Sequence, residues 1–125
     1  MITTIINLSS FMPLKNDGTS SNVLVNANYG FEIQKKIKLK NIIKYSDKIV
    51  FKISKNILYI NPSFWDGLLK DFTKKIELSE WEKIFSIQTE GDYDIFEKSY
   101  HEFLMRSFRN RLPRYLNFIY VEKKT

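Results

Sequence analysis

The chain is predicted to fold as a single α/β domain, with a mixed sheet of about four to five strands covered by helices. Three features predict this class: β-branched apolar runs alternate with amphipathic helical patterns, the connections are short, and no repeat or linker interrupts the 125 residues. With 43% hydrophobic and 15% aromatic residues, the chain can bury one substantial core. We therefore treat residues 1–125 as one domain.

The first half of the chain combines two strands with a helical segment. Residues 2–8 are rich in β-branched side chains, which favour a strand. Residues 15–22 have the turn chemistry of a loop, and residues 23–27 are a short strand candidate. In the lysine-rich segment that follows, Ile33 and Ile37 recur at helical spacing. This spacing predicts a helix whose lysines face water, with a strand as the alternative for its later half.

In the second half, strands and helices alternate. Apolar, β-prone runs predict strands at residues 48–54, 57–60 and 82–89, with a short final strand at 114–123. A helix is predicted to begin near Asn61, and the longest helix is predicted at residues 92–112. Pro113 should end that helix because proline cannot continue the hydrogen-bonding pattern.

The helix near Asn61 has a marked apolar face and two possible caps. Its large apolar side chains recur at steps of three and four residues, which predicts a core face formed by Phe64, Trp65, Leu68, Leu69 and Phe72. Asn61 suits the N-cap, with Pro62 at the first helical position. Alternatively, Ser63 caps the helix and Asp66 closes a capping box. In both cases the Ser63 hydroxyl lies at the positive end of the helix dipole, which makes Ser63 a candidate phosphorylation site.

The composition argues against several classes of enzyme and of metal site. The chain has no cysteine and one histidine, His101, so it has no thiolate site and no multi-histidine metal site. Its four glycines are isolated, so there is no glycine-rich phosphate loop, and no nucleophile-elbow motif is present. We expect a non-enzymatic protein that uses no cofactor and no metal. No apolar run is long enough to cross a membrane and no signal peptide is recognised, so we expect a cytoplasmic protein.

The positive charge is concentrated near the C-terminus. Of the net charge of +6, the segment from Met105 onward contributes +5, from six basic residues and one acidic residue, so a basic C-terminal extension begins at about residue 106. Arg111 and Arg114 flank Pro113, where the end of a helix does not account for them, so we expect them to contact an acidic partner. Because aromatic residues alternate with these arginines, nucleic-acid binding is the alternative function.

The stretch "KIVFKISKNILYINPSFWDGLLKDF", followed by "KIFSIQTE" and a helix, resembles the STAS-like domains of bacteria and phages, which are relatives of the anti-anti-sigma factors. Ser63-Phe64 stands where that family has a Ser-Phe pair, and Leu68-Leu69 stands where it has its helix core. The resemblance covers roughly residues 15–105. The chain departs from the family pattern at Lys52, where an acidic residue is usual, and at Pro62.

The resemblance implies a STAS-like fold and a regulatory module that binds another protein, often a histidine-kinase-like ATPase. The expected partner surface is the loop before Ser63 and the first half of the helix that follows, including Asn61, Ser63, Phe64 and Asp66. The alternative is a small basic inhibitor of the phage type, or a nucleic-acid-binding protein, that acts through Arg111 and Arg114.

Overall fold

A computed structural model of the chain describes residues 1–91 and 93–109. Five strands lie in this part of the chain: β1 (Thr3–Asn7), β2 (Val23–Leu24), β3 (Lys48–Ile53), β4 (Tyr59–Ile60) and β5 (Phe85–Thr89). Five α-helices accompany them: α1 (Ala27–Lys36), α2 (Leu39–Tyr45), α3 (Pro62–Thr73), α4 (Leu78–Ile84) and α5 (Tyr93–Phe108). A short 3-10 helix, Leu8–Phe11, follows β1. The α/β class is confirmed.

The five strands form two separate parallel sheets. A three-stranded sheet has the order β1-β3-β5, and β2 pairs with β4 in a two-residue ribbon. The prediction of one mixed sheet of four or five strands is therefore wrong for the described residues. The strand predicted at residues 23–27 ends at Leu24, because the next residues enter α1, and the Asn26 side chain accepts hydrogen bonds from the first amides of that helix.

The lysine-rich segment forms two helices, so the alternative of a strand in its later half is wrong. Helix α1 ends at Lys36, and Lys38 adopts a left-handed backbone conformation with φ 55° before α2 begins. Lys35, Lys36, Lys38 and Lys40 are all exposed, as the helical spacing predicted.

The strand predicted at residues 82–89 is partly wrong. Residues 78–84 form α4, and the strand begins only at Phe85. Leu78, Trp81 and Ile84 recur at three-residue steps, so they can lie along one side of a helix, and Trp81 is fully buried. This three-residue spacing indicates a helix at α4. The β-prone residues of the segment favoured a strand in the prediction, and the helical spacing was missed.

Aromatic side chains between the helices and the three-stranded sheet form the centre of the core. The Trp65 ring of α3 lies 5.7 Å from the Phe51 ring of β3 and 5.2 Å from the Tyr100 ring of α5, measured between centroids. The Trp81 ring stacks on the Phe85 ring at 4.2 Å. The predicted apolar face of α3 is confirmed, because all five of its members are buried: Phe64, Trp65, Leu68, Leu69 and Phe72.

Helices α1 and α3 pack closely enough that glycine is required on both. A Cβ atom added to Gly30 would overlap the backbone oxygen of Phe64, and one added to Gly67 would overlap the backbone oxygen of Ala27. Gln34 extends this contact by donating hydrogen bonds to the carbonyl oxygens of Gly67 and Leu68, at 3.2 and 3.0 Å. The start of α3 is thus fixed against α1 on one side and against the aromatic core on the other.

Candidate protein-interaction site

The start of α3 is capped by Asn61. The Asn61 Oδ1 atom accepts a hydrogen bond from the Ser63 backbone N–H at 2.8 Å, and the Asn61 carbonyl oxygen accepts one from the Phe64 N–H at 2.9 Å. Pro62 occupies the first turn, where its missing N–H costs nothing. The first of the two predicted caps is therefore confirmed, and the capping box of Ser63 and Asp66 is not formed.

This cap changes the argument for a phosphate at Ser63. Pro62 has no N–H, and the N–H groups of Ser63 and Phe64 already donate to Asn61. A phosphate on the Ser63 side chain would therefore have to displace the Asn61 amide before it could use the Ser63 N–H. The positive end of the helix dipole would still favour the negative charge. Ser63 itself is half-buried, and its phosphorylation stays a prediction.

The ribbon that leads into α3 exposes large apolar side chains. Leu58 is 61% exposed and Tyr59 is 38% exposed, two to three residues before Asn61. Val25, the residue that follows β2, is 47% exposed. The Asn61 N–H donates to the carbonyl oxygen of Leu24 at 2.8 Å, which holds this end of β2 beside the helix start. We call these three exposed residues, of which Tyr59 belongs to the β2–β4 ribbon and the other two adjoin it, the ribbon patch: Val25, Leu58 and Tyr59. Sequence reasoning missed it, because apolar alternation in a short strand does not tell which face is buried.

Phe64 does not belong to the exposed surface. Its side chain is fully buried, and its ring lies 5.8 Å from that of Trp65. The expectation that Phe64 contacts a partner is therefore corrected: the residue is part of the core. The exposed Tyr59 and the half-exposed Asn61 and Ser63 remain available to a partner.

Asp66 connects α3 to α5. Its Oδ2 atom lies 3.0 Å from Nη2 of Arg106, with the two side chains 27% and 48% exposed. Burial raises the pKa of the Asp66 carboxyl above its ordinary value, although the charges of Arg106 and Lys70 act in the opposite direction. Burial is therefore the largest influence on the pKa of this carboxyl. Asp66 faces Arg106, so a partner would meet it only together with that arginine.

The remaining predicted residues divide between the described part and the rest of the chain. Arg111 and Arg114, together with Pro113 and the strand predicted at 114–123, lie outside the described residues. His101 is partly buried on α5, where its Nε2 atom lies 3.4 Å from a carboxylate oxygen of Glu97. No group of three or more potential metal ligands occurs within residues 1–91 and 93–109.

No family model, curated protein or solved structure matches this chain. Among the helices that the structure describes, none has the length and apolar character needed to cross a membrane.

Proposed function

We propose that the chain is a non-enzymatic regulatory module of STAS-like type that binds a partner protein through the surface around Ser63. The observation that carries the proposal is the ribbon patch, which places three exposed apolar side chains beside the start of α3. Exposed apolar groups next to polar ones are typical of protein-binding surfaces. The partner class implied by the resemblance is a histidine-kinase-like ATPase.

The surface has the parts that a regulated interface needs. Leu58 and Tyr59 offer apolar contact area, and Tyr is among the residues enriched at interfaces. Asn61 and Ser63 form a polar border at the positive end of α3. A phosphate on Ser63 would add nearly two negative charges at this border. The same modification could therefore change the affinity for the partner without disturbing the core.

Ser63 and the ribbon patch can be tested together. Binding of the chain to each histidine-kinase-like ATPase encoded in its source genome would be measured by isothermal titration calorimetry. We expect Leu58→Ser to weaken binding by at least about tenfold, the equivalent of about 1.4 kcal/mol. Ile5→Ser is the matched control, because Ile5 is 60% exposed but lies on β1, which belongs to the three-stranded sheet and not to the ribbon. Equal loss in both variants would contradict the proposal.

The phosphorylation switch has a separate test. Ser63→Asp places an acid in the first turn of α3, where a negative charge is tolerated, so the melting temperature should stay close to that of the parent chain. Binding to the partner should weaken. A melting temperature that collapses in Ser63→Asp while Ser63→Ala is neutral would show that the position cannot accept a charge, and would exclude the switch.

A further inference from the structure

A polar cleft lies between α3 and the end of α5. Its volume is about 300 Å³, and its walls are formed by Asp66, Lys70, Thr73, Lys74, Arg106 and Ser107. Asp66, three residues after Ser63, is the lining residue nearest the helix start, and the next one along α3, Lys70, lies seven residues after Ser63. None of the residues of the ribbon patch lines the cleft. The mechanism proposed above gives it no role.

Three cationic side chains converge on this cleft from two sides. Lys70 lies on α3 and Lys74, four residues later, is its C-cap in a helical backbone conformation; both are exposed. Arg106 approaches from α5 and holds Asp66 at 3.0 Å through one of its terminal nitrogens. A guanidinium carries five N–H donors, so a pairing through Nη2 leaves donors for a second anion.

The residues that line the cleft carry a net positive charge. Its lining has three cations and one carboxylate, a net charge of +2. The other carboxylate on α3, Asp71, is engaged on the α1 side of the helix, where its Oδ2 atom accepts a hydrogen bond from Gln34 at 3.4 Å. The C-terminal ends of α3 and α5 contribute roughly half a negative charge each. These partial charges reduce the net positive charge of the cleft but do not cancel it.

The chemistry of these groups suits a phosphate. An arginine fork binds two oxygens of a tetrahedral anion, and lysine supplies compact positive charge. The Asp66 carboxylate competes with a ligand for the Arg106 guanidinium. Burial of Asp66 disfavours the charged form of this carboxyl. A doubly charged ligand would compete with the Asp66 carboxylate for the donors of Arg106.

We propose that the cleft between α3 and α5 binds a phosphate group through Lys70, Lys74 and Arg106. The group belongs to a free phosphate, to a nucleotide or to a phosphorylated side chain of a protein. Occupation of the cleft would shift Arg106 from Asp66 towards the ligand, and so would change the contact between the two helices.

The test is a titration of the full chain followed by two-dimensional amide NMR at constant ionic strength. The probes are inorganic phosphate, adenosine monophosphate and a phosphoserine peptide, with chloride as the ionic control. We expect saturable shifts of the backbone amides of Thr73, Lys74 and Ser107. The probe with the highest affinity identifies the source of the phosphate. Shifts that follow chloride equally, or no saturation with any of the three probes, would overturn the proposal.

Variants separate a binding site from cations that only complement helix ends. Lys70→Gln and Lys74→Gln should each weaken phosphate binding by about tenfold, the loss of one charge-assisted contact. Lys75→Gln is the matched control, because Lys75 is exposed and adjacent but does not line the cleft. Asp66→Asn should tighten binding by releasing Arg106. If Lys75→Gln weakens binding as much as Lys74→Gln, or Asp66→Asn has no effect on it, the cations serve only the helix ends.

Discussion

At the scale of single residues, the two tryptophans, Trp65 and Trp81, are equally buried but differ in their hydrogen bonding. Both are fully buried. The Trp81 Nε1–H donates to the hydroxyl of Tyr100 at 3.0 Å, whereas the Trp65 Nε1 atom has no hydrogen-bond partner among the described residues. A buried donor without a partner carries a desolvation cost of about 1–3 kcal/mol. The Trp65 ring packs between the rings of Phe51 and Tyr100.

This contrast predicts unequal effects of the same substitution. Trp65→Phe loses ring volume but also removes the unpaired donor, so the two effects should largely offset. Trp81→Phe loses ring volume and a hydrogen bond together. We expect Trp81→Phe to lower the free energy of unfolding by about 1–3 kcal/mol more than Trp65→Phe. Urea denaturation of the two variants measures the difference, and a greater cost for Trp65→Phe would contradict this interpretation.

Predictions for single residues were confirmed where neighbouring residues in the sequence determine the local structure. Asn61 was one of the two caps that the sequence predicted, and the structure confirms it; the burial of Leu68 and Leu69 followed from helical spacing. Phe64 was correctly placed on the core face by its spacing, and the partner role assigned through the resemblance conflicted with that placement. The exposure of Leu58 was not predictable, because it depends on which elements pack over β4.

At the scale of elements, the close packing of α1 on α3 sets the position of the helix start. Gly30 and Gly67 permit this approach. It could not be predicted, because isolated glycines in a helical pattern have many explanations. The division of the strands into two sheets could not be predicted from the sequence either. Strand pairing is non-local, and β2 and β4 have two residues each, too few for an alternation pattern to show.

The α1–α3 contact predicts the effect of added methyl groups. Gly67→Ala should destabilise the protein by about 1–3 kcal/mol, because the new Cβ would overlap the Ala27 backbone, which cannot move aside as a flexible side chain could. The gain in helix propensity, about 1 kcal/mol, offsets only part of this cost. Gly91→Ala is the control, since nothing lies within 4 Å of its added Cβ. Thermal unfolding compares the two, and equal melting temperatures would show that the helices can separate at little cost.

At the scale of the whole molecule, α3 joins two surfaces of different chemistry. Its start adjoins the ribbon patch, and its second half forms one wall of the cationic cleft. The alternation of strands with long helices could be predicted from hydrophobic periodicity, because each long helix has a continuous apolar face. The juxtaposition of Asp66 with Arg106 was not, because the two residues are 40 positions apart and their contact depends on how α3 packs against α5.

The central claim is that the ribbon patch beside Ser63 contacts a partner protein. Site-specific photocrosslinking tests it most directly, with p-benzoylphenylalanine introduced at Tyr59 in the source cells and at Tyr45 as the control. Tyr45 is 55% exposed, more than Tyr59, but lies on α2. We expect one partner protein to be cross-linked from position 59, not from position 45, and the adduct to be reduced by Ser63→Asp. Equal cross-linking from both positions, or no adduct at position 59, would contradict the central claim, and an adduct at position 59 that Ser63→Asp leaves unchanged would contradict the phosphorylation switch.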